Sequence, residues 1–397
     1  MRFSVTVVAA SLLIAPMTNA QLQLTKLFDR GEPIINRPGE VLQAHPTTFP
    51  QKTAKYWPAT DGTSVGFVGA STGATAGYYF WTPNQGLSAL ADSNEFMPGT
   101  STQYDDFWSQ HSVSGNSASF LGYTSDSKVV LASRDGQLES LATLDGPIPN
   151  YPGGTYTRLS LPRMSGETTL LASYVSGITD THSIVELISP GGREVIATSN
   201  STLSDGSAVG PINTSLTPAI HGDAVVFNAF GGRDLILARN GELTRIVSQV
   251  SGSEIGFDGE NVLYTRGSDR LMLWNESSGS VQIAGPDAPF DAALFFGGFA
   301  LDDGKAIFMT MSGMLMQYEN GSYTALLDLF NATEVGGVPF PGVDAGDFFG
   351  TQSFANDTLV FEGLDGAIYA LNIPGPAAPC AFALAGLASI LARSRRE

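Results

Sequence analysis

Hydrophobic and polar residues alternate along most of this chain in short runs, separated by glycine, asparagine and aspartate. Alternation with a period of two puts one side of a segment in a core and predicts strands rather than helices. The clearest stretch is 218–247, PAIHGDAVVFNAFGGRDLILARNGELTRIV. A turn at His221-Gly222-Asp223 leads into a strand over 224–228. Gly231-Gly232 turns into 234–238, and Asn240-Gly241 into 243–247. Asn-Gly between two β runs predicts a hairpin, because both residues tolerate positive φ.

The same phrase recurs at 59–90, 112–141, 163–197, 257–283, 300–327 and 353–372. The last copy stops after three strands. Residues 22–28, LQLTKLF, match the missing fourth strand. Spread over residues 22–374, seven copies occupy about 50 residues each, a period typical of propeller blades. A four-stranded sheet with two apolar faces cannot bury both alone, whereas stacking it between two like sheets does. The fold class is therefore all-β: a seven-bladed β-propeller whose N-terminal strand closes the last blade and removes its open edge. The copy at 163–197 is looser, so six or eight blades stay open. A pair of β-sandwiches is the alternative, but it leaves the split copy unexplained. The centres of the second strands are the expected core: Phe67, Phe120, Leu170, Phe227, Leu263, Phe308 and Phe361.

The two ends read as addresses. Residues 1–20 combine Arg2, an apolar run and the small-residue site Thr18-Asn19-Ala20, the pattern of a secretory signal peptide. Residues 21–374 are then the propeller domain. Residues 375–397 are a hinge, a short apolar helix and a basic end. The apolar run 381–392 is short for a membrane span. Pro374-Gly375-Pro376, the apolar run and Arg393, Arg395 and Arg396 together resemble the PEP-CTERM sorting signal of exported bacterial proteins, with Gly375 where that family has Glu. The resemblance implies recognition and removal of the tail by an exosortase-type membrane peptidase after passage through the export machinery. A plain C-terminal anchor is the alternative. The expected location is the cell envelope or the exterior, with transient attachment to the membrane through the tail alone. Pro218, Ile220, Gly222-Asp223, Val225, Phe227 and Ala229 also resemble the NxxGxxAF-type repeats of exported bacterial proteins. That resemblance implies a propeller-like, surface-associated protein and assigns no activity.

Composition narrows the function. The 397 residues hold 20 Lys and Arg against 38 Asp and Glu, a formal charge of −18, which excludes the basic footprint of a nucleic-acid binder. The single cysteine, Cys380, lies in the tail, so the propeller has no disulfide and must rest on its core. Catalytic patterns are missing. Gly62-Thr63-Ser64-Val65-Gly66 fits G-x-S-x-G but enters a β run rather than a strand-turn-helix elbow. His45, His111, His182 and His221 show no zinc-ligand spacing. The connectors between blades hold aromatics beside acids. Tyr104, Asp105, Asp106 and Trp108, with Asp344 and Asp347, form a candidate ligand face for a sugar ring, or for Ca²⁺, the one cofactor the acids suggest. Against this, Trp108, Phe296 and Phe349 stand at one phase of the repeat, as plugs between blades would. The reading is an exported binding or interaction module, with an envelope polysaccharide or another envelope protein as its partner. The alternatives are an envelope carbohydrate-active lyase or hydrolase using inter-blade acids, and a structural matrix or biofilm component.

Overall fold

A computed structural model describes residues 22–373, apart from 47–52, 99, 109–110, 231–232, 251–253, 292–297 and 344–348. The signal and sorting segments lie outside the described residues. The described chain is strands and turns without a helix. Seven antiparallel sheets follow one another, and their innermost strands are Ala54–Thr60, Ser112–Ser114, Arg163–Ser165, Ala219–His221, Ile255–Phe257, Phe299–Asp302 and Phe354–Ala355. Each innermost strand touches the next, and the first also meets the seventh, so the ring is closed. The architecture is a seven-bladed β-propeller. The looser copy is a full blade with strands Arg163–Ser165, Thr168–Ser176, Ser183–Ser189 and Gly192–Thr198.

The last blade is built from both ends of the chain. Gln23–Phe28 pairs antiparallel with Ile368–Asn372, with Gln23 opposite Asn372. Leu22, Leu24 and Phe28 are buried there, and the Phe28 ring stacks on Phe67 of the first blade at 5.3 Å. One detail certifies the strand as a true fourth strand. In all seven blades the register between third and fourth strands slips by one residue. The residue left over is Leu27, Leu90, Leu141, Ile196, Ile246, Ile283 or Leu326. Such a bulge increases the local right-handed twist, and the N-terminal strand carries it at the same place as the other six.

Seven buried clusters each span two neighbouring blades, one at every junction. The seven second-strand residues expected in the core are all at most 1% exposed. The Asx-Gly hairpins behave as their sequence dictates. Asn240 and Gly241 have φ of 53° and 76°, and Asn320 and Gly321 have 49° and 79°, the left-handed pair of a type I′ turn.

The first three connectors are not plain loops. Leu42–Gln43, Asp106–Phe107 and Thr155–Leu159 each add a strand beside the second strand of their blade, beyond the point where the innermost strand ends. This gives otherwise free backbone groups of the second strand a partner.

Candidate functional site

The hairpins joining first to second strands and third to fourth strands lie on one face of the ring, here the turn face. The connectors between blades lie on the other. The sequence-predicted ligand residues that are described belong to the connector face. Phe107 pairs with Gly122, so the segment is built into the second blade. Tyr104 is 2% exposed, its ring 4.9 Å from that of Phe107, and it does not face solvent. Burial pushes its hydroxyl well above the usual range. Asp105 is exposed and Asp106 half-buried, with its carboxylate 3.7 Å from the His45 imidazole. Trp108 is 41% exposed, packs against Tyr123 at 5.4 Å, and shares the Lys128 ammonium with it. Phe349 is fully buried, as a plug should be, whereas Trp108 is not. Asp344, Asp347 and Phe296 lie outside the described residues. The structure thus leaves Asp105 and Trp108 exposed, turns the Asp106 carboxylate toward buried His45 and withdraws Tyr104 from solvent.

The turn face carries a feature that the sequence did not announce. At the end of each innermost strand, a side chain reaches the turn of the next blade. The Gly115 amide donates to the Asp61 carboxylate. Gly166 N–H donates to Ser114 Oγ, and Gly222 N–H to Ser165 Oγ, both at 2.9 Å. Gly304 N–H donates to Asp258 Oδ2 at 2.7 Å, and Asn356 N–H to Asp302 Oδ2 at 2.6 Å. Asn356 Nδ2 closes the circle on the Asp61 carbonyl at 2.6 Å. The junction between fourth and fifth blades is made differently. There the His221 ring lies so close over Gly259 that a Cβ would sit 2.8 Å from it.

Between the fifth and sixth blades this face opens into a cleft of about 970 Å³. Its inner end holds His221, Asp258, Asp302, Asp303 and Asp357. Its walls carry Asn275 and Val281 on one side and Tyr318 and Asn320 on the other. Among the described residues that line it, Lys305 is the one lysine or arginine, and its ammonium is already paired with Asp357. Burial raises the Asp302 carboxyl above the usual carboxylate range, and the Asp303 and Asp258 charges add to this, partly offset by the Asn356 amide.

A carboxyl raised in the folded state holds its proton better folded than unfolded. Ionising it as pH climbs through that window therefore removes stability. Asp302→Asn keeps an oxygen for the Asn356 amide and removes the charge. It should melt about 1–2 °C above wild type at pH 7 and level with it near pH 3. A gap equal at both pH values would contradict this origin.

A smaller funnel of about 220 Å³ leads from the same face into the central channel. At its floor Arg163 is 2% exposed. Its guanidinium donates to the His111 carbonyl at 3.1 Å and to Thr351 Oγ1 at 3.3 Å. Burial pulls its pKa down to about 10, against the field of Glu254. Burial likewise pushes the Glu254 carboxyl up, and Thr351 N–H donates to it at 3.3 Å. Gln352 and Met164 line the funnel too, joined by Ser112, whose Oγ donates to Gln352 Oε1 at 3.0 Å and accepts from Met164 N–H at 3.0 Å. Among the described residues no three histidine, cysteine, aspartate or glutamate side chains gather as a metal site.

No family model matches the chain, and none of the curated proteins does. Among solved structures it is similar to YCF48 bound to D1 peptide, with 13% identity and a TM-score of 0.45 over 93% of this chain and 100% of the other. The β-propeller domain of the Trilobed protease from Pyrococcus furiosus matches with 12% identity and a TM-score of 0.47, over 78% of this chain and 91% of the other. YCF48 from Cyanidioschyzon merolae matches with 15% identity and a TM-score of 0.46, over 80% and 96%.

Proposed function

We propose that this chain is an exported binding module of the cell envelope or exterior, and that it takes its partner in the turn-face cleft. The observation that carries the reading is the cleft itself: a wide, concave gap between two blades, rich in amides and carboxylates whose one lysine is already neutralised. Such a surface accepts donor-rich partners, either the hydroxyls of an envelope polysaccharide or the Lys and Arg side chains of an envelope protein. In the cleft itself Asp258 and Asp302 each accept a backbone amide of the following blade, and a carboxylate so held ties the ring together rather than moving a proton. Export rests on the pattern of residues 1–20, and sorting by an exosortase-type peptidase on the pattern of 374–397.

Glu260 and Asp303 are exposed in the cleft and suit a test. Protein from the exporting host, checked by intact mass for a start near Gln21 and an end near Pro376, is presented to isolated envelope polysaccharide and to a Lys/Arg-rich peptide. Glu260→Gln with Asp303→Asn should not lower the melting temperature and should weaken binding about tenfold. Binding that falls steeply with salt identifies the basic protein partner, and salt-insensitive binding the polysaccharide. Binding of neither probe, or equal binding by the double variant, rejects the cleft as the site.

A further inference from the structure

We propose that the channel funnel is a second site, adjoining the cleft at His221, Asp302 and Asn356, and that it binds a small monocarboxylate carrying hydroxyl or ammonium groups. The argument starts from hydrogen bonds left open. Arg163 is 2% exposed, and its Nε–H meets no acceptor. An unmet buried donor costs about 1–3 kcal/mol, and one on a charged group more, so the position favours a ligand that supplies an acceptor. Ser114 and Ser165 line the same funnel. Each already accepts a glycine amide from the next blade. Their hydroxyl protons meet no acceptor among the described residues. Arg163, Ser114 and Ser165, from two neighbouring innermost strands, thus line one small space. Gln352 lines it too, and its carbonyl oxygen is taken up by Ser112, which leaves its amide to donate.

The rim has the opposite character. Asp61 and Asp302 stand there with His221 and Asn356. The Asn356 amide engages Asp302 Oδ2, which leaves Oδ1 to accept. The Arg163 charge is opposed by the buried Glu254, so it is the unmet donors of the floor, under an acceptor-bearing rim, that select a ligand with acceptors at one end and donors at the other. The net charge of −18 and the rim carboxylates repel a polyanion, which points away from phosphate and toward a single carboxylate. The funnel has room for about seven waters, enough for an amino acid or one uronic sugar and too little for a chain of them.

The inference rests on the binding-module reading but not on the cleft. Calorimetric titration of the full chain with D-galacturonate, with L-serine, and with neutral D-galactose tests it. At least one carboxylate should bind, with galactose weaker by tenfold or more; which one binds tells the sugar source from the amino-acid source. Arg163→Lys keeps a charge and loses the Nε donor, and should weaken binding at least tenfold. Ser165→Ala is a milder change at a turn and should weaken it about fivefold. Glu260→Gln with Asp303→Asn should leave carboxylate binding untouched. No heat from either carboxylate, equal binding of galactose, or full affinity in both the Arg163 and Ser165 variants overturns the funnel site. None of these results touches peptide or polysaccharide binding in the cleft, so the two readings fail separately.

Discussion

Removal of residues 21–31 is expected to lower the melting temperature by roughly 10 °C or more and to turn a single cooperative transition into a broad one. The deleted strand buries Leu22, Leu24 and Phe28 against the sixth, seventh and first blades. At about 1.5–3 kcal/mol for each side chain, the loss is about 5–9 kcal/mol, comparable with the whole stability of an ordinary domain. It also bares the Ile368–Asn372 edge, which invites pairing with another chain. Two companions sharpen the test. Leu24→Ala alone should cost about 2–5 kcal/mol. A peptide of residues 21–31 added to the truncated protein should restore part of the lost stability. Thermal and denaturant melts decide it, and a truncated protein that melts like wild type would refute velcro-like closure as a source of stability.

The second large effect is expected in the channel. Arg163→Met leaves the buried Glu254 carboxylate without its cation, and breaking a buried charge pair from one side costs about 3–5 kcal/mol. Arg163→Met combined with Glu254→Met removes both charges. It should recover most of that loss, because the desolvation cost of the pair disappears with it. Arg163 also ties the third blade to the second and seventh through His111 and Thr351, so recovery should stay incomplete. A double-mutant cycle by denaturant melts reads the coupling; additive single effects would mean that the two charges do not act on each other.

These two sites mark what the sequence could and could not tell. The closing strand was legible because it had to obey the repeat. LQLTKLF shares its pattern with six other fourth strands, and the core phenylalanines recur at one phase because blade stacking demands it. The bulged Leu or Ile, from Leu27 to Leu326, carries the same periodic signal, legible once the copies are aligned. Arg163 and Glu254 break the pattern. Each stands once, in an innermost strand of three residues or just before one, and no periodicity points to a residue that occurs in one blade only. The turn-to-turn bonds were hidden for another reason. Asp61, Ser114, Ser165, Asp258 and Asp302 look like ordinary turn residues, and their partners lie about 50 residues away, one blade further along. The connectors misled in one respect. Tyr104 and Trp108 look alike as aromatics beside acids, but pairing of Asp106–Phe107 with Tyr123 and Gly122 sets their depths, so Tyr104 goes in and Trp108 stays out.

Where the ring is broken also has a directional consequence. Every other blade joins its third and fourth strands by a hairpin on the turn face; in the last blade that hairpin is missing, and the two strands simply end there. Gln23 and Asn372 stand opposite each other, and Ile373 N–H donates to the Asp357 carbonyl at 2.7 Å, at the edge of the cleft. Leu22 and Ile373 therefore stand at the same point of the turn face, so any attachment made through either end of the ring would set the cleft and the funnel mouth toward it and the surface with Trp108 and Tyr123 away from it.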